Sequence, residues 1–292
     1  MSWRDIEKEC AMYVITGITG RVGGAAARRL LEAGLPVRAV VRDAAKGAAW
    51  AERGCKVAVA AMDDAAALIR AFADAEAVFV VPPPVFDPAP GFPEARANVA
   101  ALRAALEASR PGRVVWLSTV GAQARQPNLL SQHTLMEAAI ADLALPVTVL
   151  RPAWFMDNAE WDIAAARDEG VLRSFLAPLD RAIPMVAARD VGATAAELLR
   201  ETWTGHRLIE LEGPAAISPN DLAAALARVL GRDVRAEVVP RETWGGLFRA
   251  QGMAEPLPRI QMLDGFNEGW LTFEGQPRQG VTALDAVLRG LV

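Results

Sequence analysis

The sequence is poor in tyrosine, lysine, histidine and cysteine, and these shortages narrow its chemistry before any motif is read. Among 292 residues there is one tyrosine, Tyr13, and there are three lysines, Lys8, Lys46 and Lys56. A mechanism that needs a tyrosine or lysine beyond residue 56 is excluded. Cys10 and Cys55 make neither a disulfide framework nor a metal site, and His133 and His206 are too few for a histidine-rich metal centre. No apolar run approaches the ~20 residues of a membrane span, so no membrane partner is expected. With 31 basic against 35 acidic residues the net charge is −4, which leaves no basic footprint for nucleic acid. The opening MSWRDIEKEC is charged where a secretory signal is apolar, so a cytoplasmic location is expected.

What is present is ample apolar sequence in an ordered rhythm. The length allows one large or two unequal domains, and 52% of residues are hydrophobic. Short β-branched runs, MYVIT (12–16), VRAVV (37–41), VAVA (57–60), AVFVV (77–81), RVVWLS (113–118) and PVTVLR (146–151), read as strands. Helical patterns lie between them near 22–33, 65–73, 93–108 and 131–143. The strands are continuously apolar, as expected where helices cover both sheet faces. An α/β doubly wound parallel sheet of the Rossmann class follows. After residue 151 the rhythm breaks. Asp190–Arg200 reads as a helix, RLIELEG (207–213) as a strand, and Ser218-Pro-Asn-Asp221 as a capping box whose helix ends at Gly231. The expected division is 1–153 plus 185–232 for the sheet domain, and 154–184 plus 233–292 for a smaller α+β lobe.

The first strand runs into Gly17-Ile-Thr19-Gly20-Arg21-Val22-Gly23, and a helix opens there. Glycines at this spacing permit a tight turn, close approach of a pyrophosphate, and close packing of helix on strand. The free N–H groups and positive dipole of the helix start then face the phosphates. An NAD site usually ends its second strand with Asp or Glu. Here that strand ends Val40-Val41-Arg42, with Lys46 nearby and Arg21 in the loop. A cation about 4 Å from a 2′-phosphate gains roughly 4 kcal/mol at an effective dielectric near 20, before desolvation. NADP(H) is therefore expected over NAD(H), without flavin or metal; the ordinary alternative is that Arg42 pairs with Asp43 on the surface.

These residues resemble the NmrA-like branch of the atypical short-chain dehydrogenases/reductases. The resemblance runs through the glycine loop, Arg42, Met62-Asp63-Asp64, Val80-Val81-Pro82-Pro83, Leu117-Ser118-Thr119, Leu150-Arg151-Pro152-Ala153-Trp154-Phe155-Met156-Asp157-Asn158, and Ile183-Pro184 to Asp190-Val191. It implies a cofactor cleft between a Rossmann domain and a C-terminal substrate lobe. It also implies that Met62 and Asp63 lie near adenine, Pro82 and Pro83 near the central riboses, and Pro152, Ala153, Trp154 and Phe155 near nicotinamide. Ala61 departs from the acidic residue that relatives often carry there.

The Tyr-x-x-x-Lys pair of the classical short-chain enzymes has no counterpart. At the equivalent helix stand His133 and Glu137, with Met136 and Ile140 on the same face. A carboxylate one turn away is expected to raise the His133 pKa from its ordinary value near 6.5, making it the candidate proton donor; the ordinary alternative is an i,i+4 helix pair with no chemical role. Ser118 and Thr119 end the fifth strand, where they either orient the carboxamide or cap the strand, and Arg151 reads as a strand anchor. Trp154, Trp161, Trp203, Trp244 and Trp270 all follow residue 150, and an aromatic cleft suits a flat apolar acceptor. The expected function is an NADPH-dependent reductase passing hydride to a quinone-like or other conjugated small molecule, acting as monomer or homodimer. The alternatives are a non-catalytic NADP(H)-binding redox sensor and, less in keeping with the missing Tyr/Lys pair, a cofactor-assisted isomerase.

Overall fold

The structure is a computed structural model that describes residues 11–292. Lys8, Cys10 and the charged opening segment lie outside the described residues. Strands β1 (Met12–Ile15), β2 (Val37–Val41), β3 (Lys56–Val59), β4 (Ala75–Val80), β5 (Arg113–Leu117) and β6 (Val147–Pro152) fall on the six expected runs. With β10 (His206–Glu212) and β13 (Arg278–Gln279) they form one eight-stranded sheet in the order β13-β10-β6-β5-β4-β1-β2-β3. Every pairing in it is parallel. Ile15 stands opposite Ala39 on one side and Phe79 on the other, so β1 lies where the winding reverses. In open α/β sheets that reversal point opens the ligand crevice at the strands' carboxyl ends.

Both sheet faces are covered. One core joins Ile15, Ala39, Phe79 and Val115 to α1 (Arg21–Glu32) and α7 (Ala188–Leu198). The other joins Val14, Val40, Val78, Val114 and Trp116 to α3 (Ala65–Phe72), α4 (Pro93–Ser109) and α5 (Ser131–Ile140). Alternate residues of each strand feed opposite cores, which explains the unbroken apolar runs. At the edge strand β3 that logic lapses: Val59 is 52% exposed, because no neighbour covers it. The sequence pattern also missed α2 (Ala44–Ala51), which Asp43 starts by accepting a hydrogen bond from Ala45 N at 2.9 Å.

The smaller lobe contains β7 (Trp154–Phe155), β9 (Ile183–Val186) and β11 (Ala216–Ile217) in one short sheet, and β8 (Val171–Ser174) paired with β12 (Arg235–Val238). Around them lie α6 (Ile163–Glu169), α8 (Pro219–Leu230), α9 (Trp244–Ala250), α10 (Leu257–Glu268) and α11 (Leu284–Leu288). The Ser218/Asp221 capping box and the left-handed Gly231 bound α8. Two segments lie on the other side of the expected division. Helix α8 packs with α6, β8 and α11, and β13 extends the large sheet. An amphipathic stripe tells that a helix is covered but not by which lobe, and a two-residue strand has no periodicity to read.

Candidate functional site

The glycine loop is built at the reversal point. Thr16, fully buried, accepts a hydrogen bond from Val81 N at 2.7 Å and donates to Phe79 O at 3.2 Å. This clips the ends of β1 and β4 together. Gly17 has φ +59°, and a Cβ on it would stand 2.9 Å from the Val81 side chain. A Cβ on Gly23 would fall 2.4 Å from Gly17 O, so the loop and α1 close on each other only with glycine there. Gly20 caps α1 without a side chain, no acidic residue lies in its first turn, and the helical ladder begins at Gly24 N to Gly20 O. The Arg21, Val22 and Gly23 amides therefore start the helix unblocked, facing the crevice with its positive dipole end. Thr19 and Gly20 are exposed at the mouth, while Val22 is buried.

The other expected cofactor residues surround this point in different ways. Arg42 is exposed just past β2 and makes no ion pair among the described residues; Asp43 caps α2 instead of neutralising it. Met62 turns into the core, Asp63 is exposed, and Asp64 caps α3 through Ala67 N at 2.9 Å. Pro82 is buried and Pro83 half-buried after β4. Pro152 and Ala153 are buried at the end of β6; Trp154 and Phe155 are half-buried, and Trp154 packs edge-on against Phe266 with ring centres 5.1 Å apart.

From there the segment Met156–Trp161 crosses back over the strand ends. Arg21 donates to Glu160 at 2.8 Å and lies 3.6 Å from Asp157, whose other oxygen accepts from Ala188 N at 2.8 Å and starts α7. Trp161 meets Phe86, from the loop after β4, in an edge-on pair at 6.0 Å. That loop is itself held to the smaller lobe, because the Asp87 carboxylate accepts from Ala254 N and Glu255 N, each at 2.8 Å.

The expected rise in the His133 pKa is overturned. Met136 and Ile140 face the core as read, but Glu137 is committed to Arg151 and Ser118 rather than to His133. Arg151 donates to both Glu137 oxygens, at 2.9 and 2.6 Å, and Ser118 donates its hydroxyl to the same carboxylate. Arg151 also reaches Gln123 at 3.1 Å and pairs with Glu274. Burial lowers the His133 pKa to about 4, and Glu137 only partly offsets it. Its Nδ1 is buried without a hydrogen-bond partner among the described residues, so the imidazole is neutral near pH 7. Spacing on one helix shows who is near whom, but not that a guanidinium from another strand takes the carboxylate first. Thr119 is half-buried, and its hydroxyl makes no hydrogen bond among the described residues.

Among the described residues no three His, Cys, Asp or Glu side chains gather as a metal site, and no helix is long and apolar enough to cross a membrane. The buried Thr16 clip, the loop closed by Gly17 and Gly23, and the uncapped helix start form a cradle with the shape and polarity for a dinucleotide pyrophosphate.

Comparison with known proteins agrees with this geometry. The chain is 30% identical over 253 residues to the NAD(P)H azoreductase of Xenophilus azovorans, covering 84% of this chain and 83% of that one. It is 26% identical to quinone oxidoreductase 2 of Escherichia coli over 84% of each chain. The crystal structure of that oxidoreductase with NADPH superposes with a TM-score of 0.78 at 24% identity, covering 96% of this chain and 99% of that one. The NADP(H) complex of Citrobacter sp. triphenylmethane reductase superposes with a TM-score of 0.80 at 21% identity, covering 97% and 100%. The NmrA-like family model matches residues 11–266, and with the Rossmann order of strands and the cradle beside β1 already in place, the chain belongs to the NmrA-like family.

Proposed function

We propose that the protein is an NADPH-dependent reductase of quinone-like or other conjugated small molecules. The observation that carries this reading is the uncapped start of α1 at the sheet's reversal point, set behind a loop whose Gly17 and Gly23 leave no room for a Cβ. The relatives named azoreductase and quinone oxidoreductase support the reaction class.

Gly17, Thr19, Gly20, Arg21, Val22 and Gly23 hold the pyrophosphate through backbone N–H groups. Arg42, left without a carboxylate, favours a 2′-phosphate and hence NADP(H) over NAD(H). Met62 and Asp63 border the adenine, Pro82 and Pro83 the riboses, and Ser118, Thr119 and Pro152 to Phe155 the nicotinamide end. When bound, the cofactor supplies hydride. The chain's part is to hold an acceptor flat in the crevice and to exclude water, with residues 154–184 and 233–292 furnishing much of the acceptor side. Neutral His133 stabilises charge growing on the acceptor by donating a hydrogen bond; it does not serve as an imidazolium acid near pH 7.

The test is NADPH consumption by the purified protein with a panel of quinones, azo dyes and triphenylmethane dyes, followed by nicotinamide absorbance. Acceptor-dependent oxidation above the free-cofactor rate is expected. His133→Ala should lower turnover roughly tenfold or more while NADPH affinity is kept. A second reading, a non-catalytic redox sensor, is favoured by the neutral state of His133 and the absence of a Tyr/Lys pair. Tight NADPH binding with no turnover across the panel would decide for it.

A further inference from the structure

A cavity of about 150 Å³ lies where the first turns of α1 and α7 meet α11. Gly192 lets the two turns approach, since a Cβ on it would stand 2.5 Å from Val22 O. Each turn then sends one arginine to the same cavity, Arg21 from α1 and Arg189 from α7. Arg189 is exposed at the rim, but its guanidinium is held in place. Both oxygens of the buried Asp190 accept from the buried Thr282, from its amide at 2.8 Å and its hydroxyl at 2.6 Å. With its one hydroxyl proton spent there, Thr282 Oγ1 can only accept, and Arg189 Nε donates to it at 2.7 Å. Asp190, the adjacent acid, is therefore committed elsewhere. The two terminal nitrogens of Arg189 make no hydrogen bond or ion pair among the described residues. Arg228 makes the contrast: Asp285 of α11 takes its guanidinium through two hydrogen bonds of 2.8 and 3.3 Å.

The rest of the lining sets what such a cation can take. Asp157 is the one carboxylate in it, with one oxygen on Ala188 N at 2.8 Å and the other 3.6 Å from Arg21. Two guanidiniums against one carboxylate leave the lining with one positive charge in excess. The remainder is apolar: Ala187 and Val287 belong to a buried cluster with Met156, and Leu291 packs against it. An apolar cavity of about this volume admits a molecule the size of benzene. A guanidinium at its rim recognises a planar carboxylate through paired N–H groups, and one already fixed by Thr282 loses little freedom in doing so.

We infer that this cavity is a second binding site, for a small organic monoanion that carries its carboxylate on a compact apolar body, with Arg189 as the anchor. The inference does not rest on the reductase reading, in which Arg189 takes no part. Calorimetric titration with benzoate and with benzyl alcohol is the test, in a buffer free of phosphate and carboxylate and with NADP⁺ present to fill the glycine cradle. One charge-assisted contact corresponds to about tenfold or more in affinity, so benzoate should bind that much tighter than the alcohol. Arg189→Gln should erase the difference and leave NADPH affinity within about twofold. Leu291→Trp, which fills the cavity and keeps both cations, should abolish benzoate binding and likewise spare NADPH. Equal binding of acid and alcohol, no binding of benzoate, or benzoate bound by either variant as tightly as by the natural protein overturns the inference. Binding seen only when NADP⁺ is left out also overturns it, because it assigns the anion to the cradle.

Discussion

Replacing Arg151 by methionine tests the account of the site's polar floor. The Arg151 side chain is 7% exposed and that of Glu137 16%, while Glu274 is 51% exposed. Burial works against the Arg151 charge, and its hydrogen bonds to Glu137 and Glu274 more than offset it, raising its pKa. Methionine fills much of the arginine's volume, so the loss is electrostatic rather than a cavity. Glu274 then returns to water at little cost. Glu137 cannot, and keeps only the Ser118 hydroxyl. Removing one partner of a buried pair costs about 3–5 kcal/mol. Because one of the two carboxylates is freed to solvent, the lower figure, about 3 kcal/mol, applies. At roughly 2–4 °C per kcal/mol the melting temperature falls by about 6–12 °C. Thermal melts followed by far-UV circular dichroism measure it, with NADPH absent so that ligand binding does not mask the change. The double variant Glu137→Leu/Arg151→Met should lose less than the sum of the singles. A cost under about 1 kcal/mol for Arg151→Met, or simple additivity, refutes the reasoning.

Gly23→Ala places a methyl 2.4 Å from Gly17 O and should weaken NADPH binding by more than tenfold, with a stability loss of about 1–3 kcal/mol, read by fluorescence titration and melting. Arg42→Ala should raise the NADPH dissociation constant and leave that for NADH nearly unchanged, and an equal effect on both removes the case for 2′-phosphate recognition. His133 and Asp162 should act oppositely on stability between about pH 4 and pH 6. His133, lowered by burial to about 4, binds its proton less well folded than unfolded, so its contribution is complete above about pH 6.5 and is lost as the pH falls towards 4. Asp162, raised by burial to about 6, favours the folded state in acid and loses that contribution as pH rises from about 4 to 6. Melting temperature against pH should therefore steepen in Asp162→Asn and flatten or reverse in His133→Phe; parallel profiles for all three proteins would count against both burials.

The sheet was legible because its inner strands are covered on both faces. Runs such as Val37–Val41 need no partner to be recognised, and the glycine loop's spacing carries its own sterics. Capping residues were equally plain, since Ser218 and Asp221 satisfy amides three positions apart. The polar site was not legible to the same depth. His133 and Glu137 are neighbours on one helix, but the guanidinium that takes the Glu137 carboxylate comes from β6, and Gln123 and Glu274 join from two further segments. The Asp87 clasp joins residues 167 and 168 positions apart. Charges paired across such distances leave no local pattern, and the smaller lobe, built largely from such contacts, shares that opacity.

The crevice is bounded in two physically different ways. Its floor is closed by Thr16 between β1 and β4, out of reach of solvent. Its roof, Met156–Trp161, is anchored from below by buried Met156 and Ala159 and by the Asp157 hydrogen bond to Ala188 N, whereas its outer face is fastened by an exposed ion pair and by the edges of two exposed rings. Exposed contacts of this kind contribute little and can be exchanged singly. The outer face of the roof can therefore change one side chain at a time at small cost, whereas a change at Thr16 breaks two buried hydrogen bonds at once: the same crevice has one rigid boundary and one adjustable one.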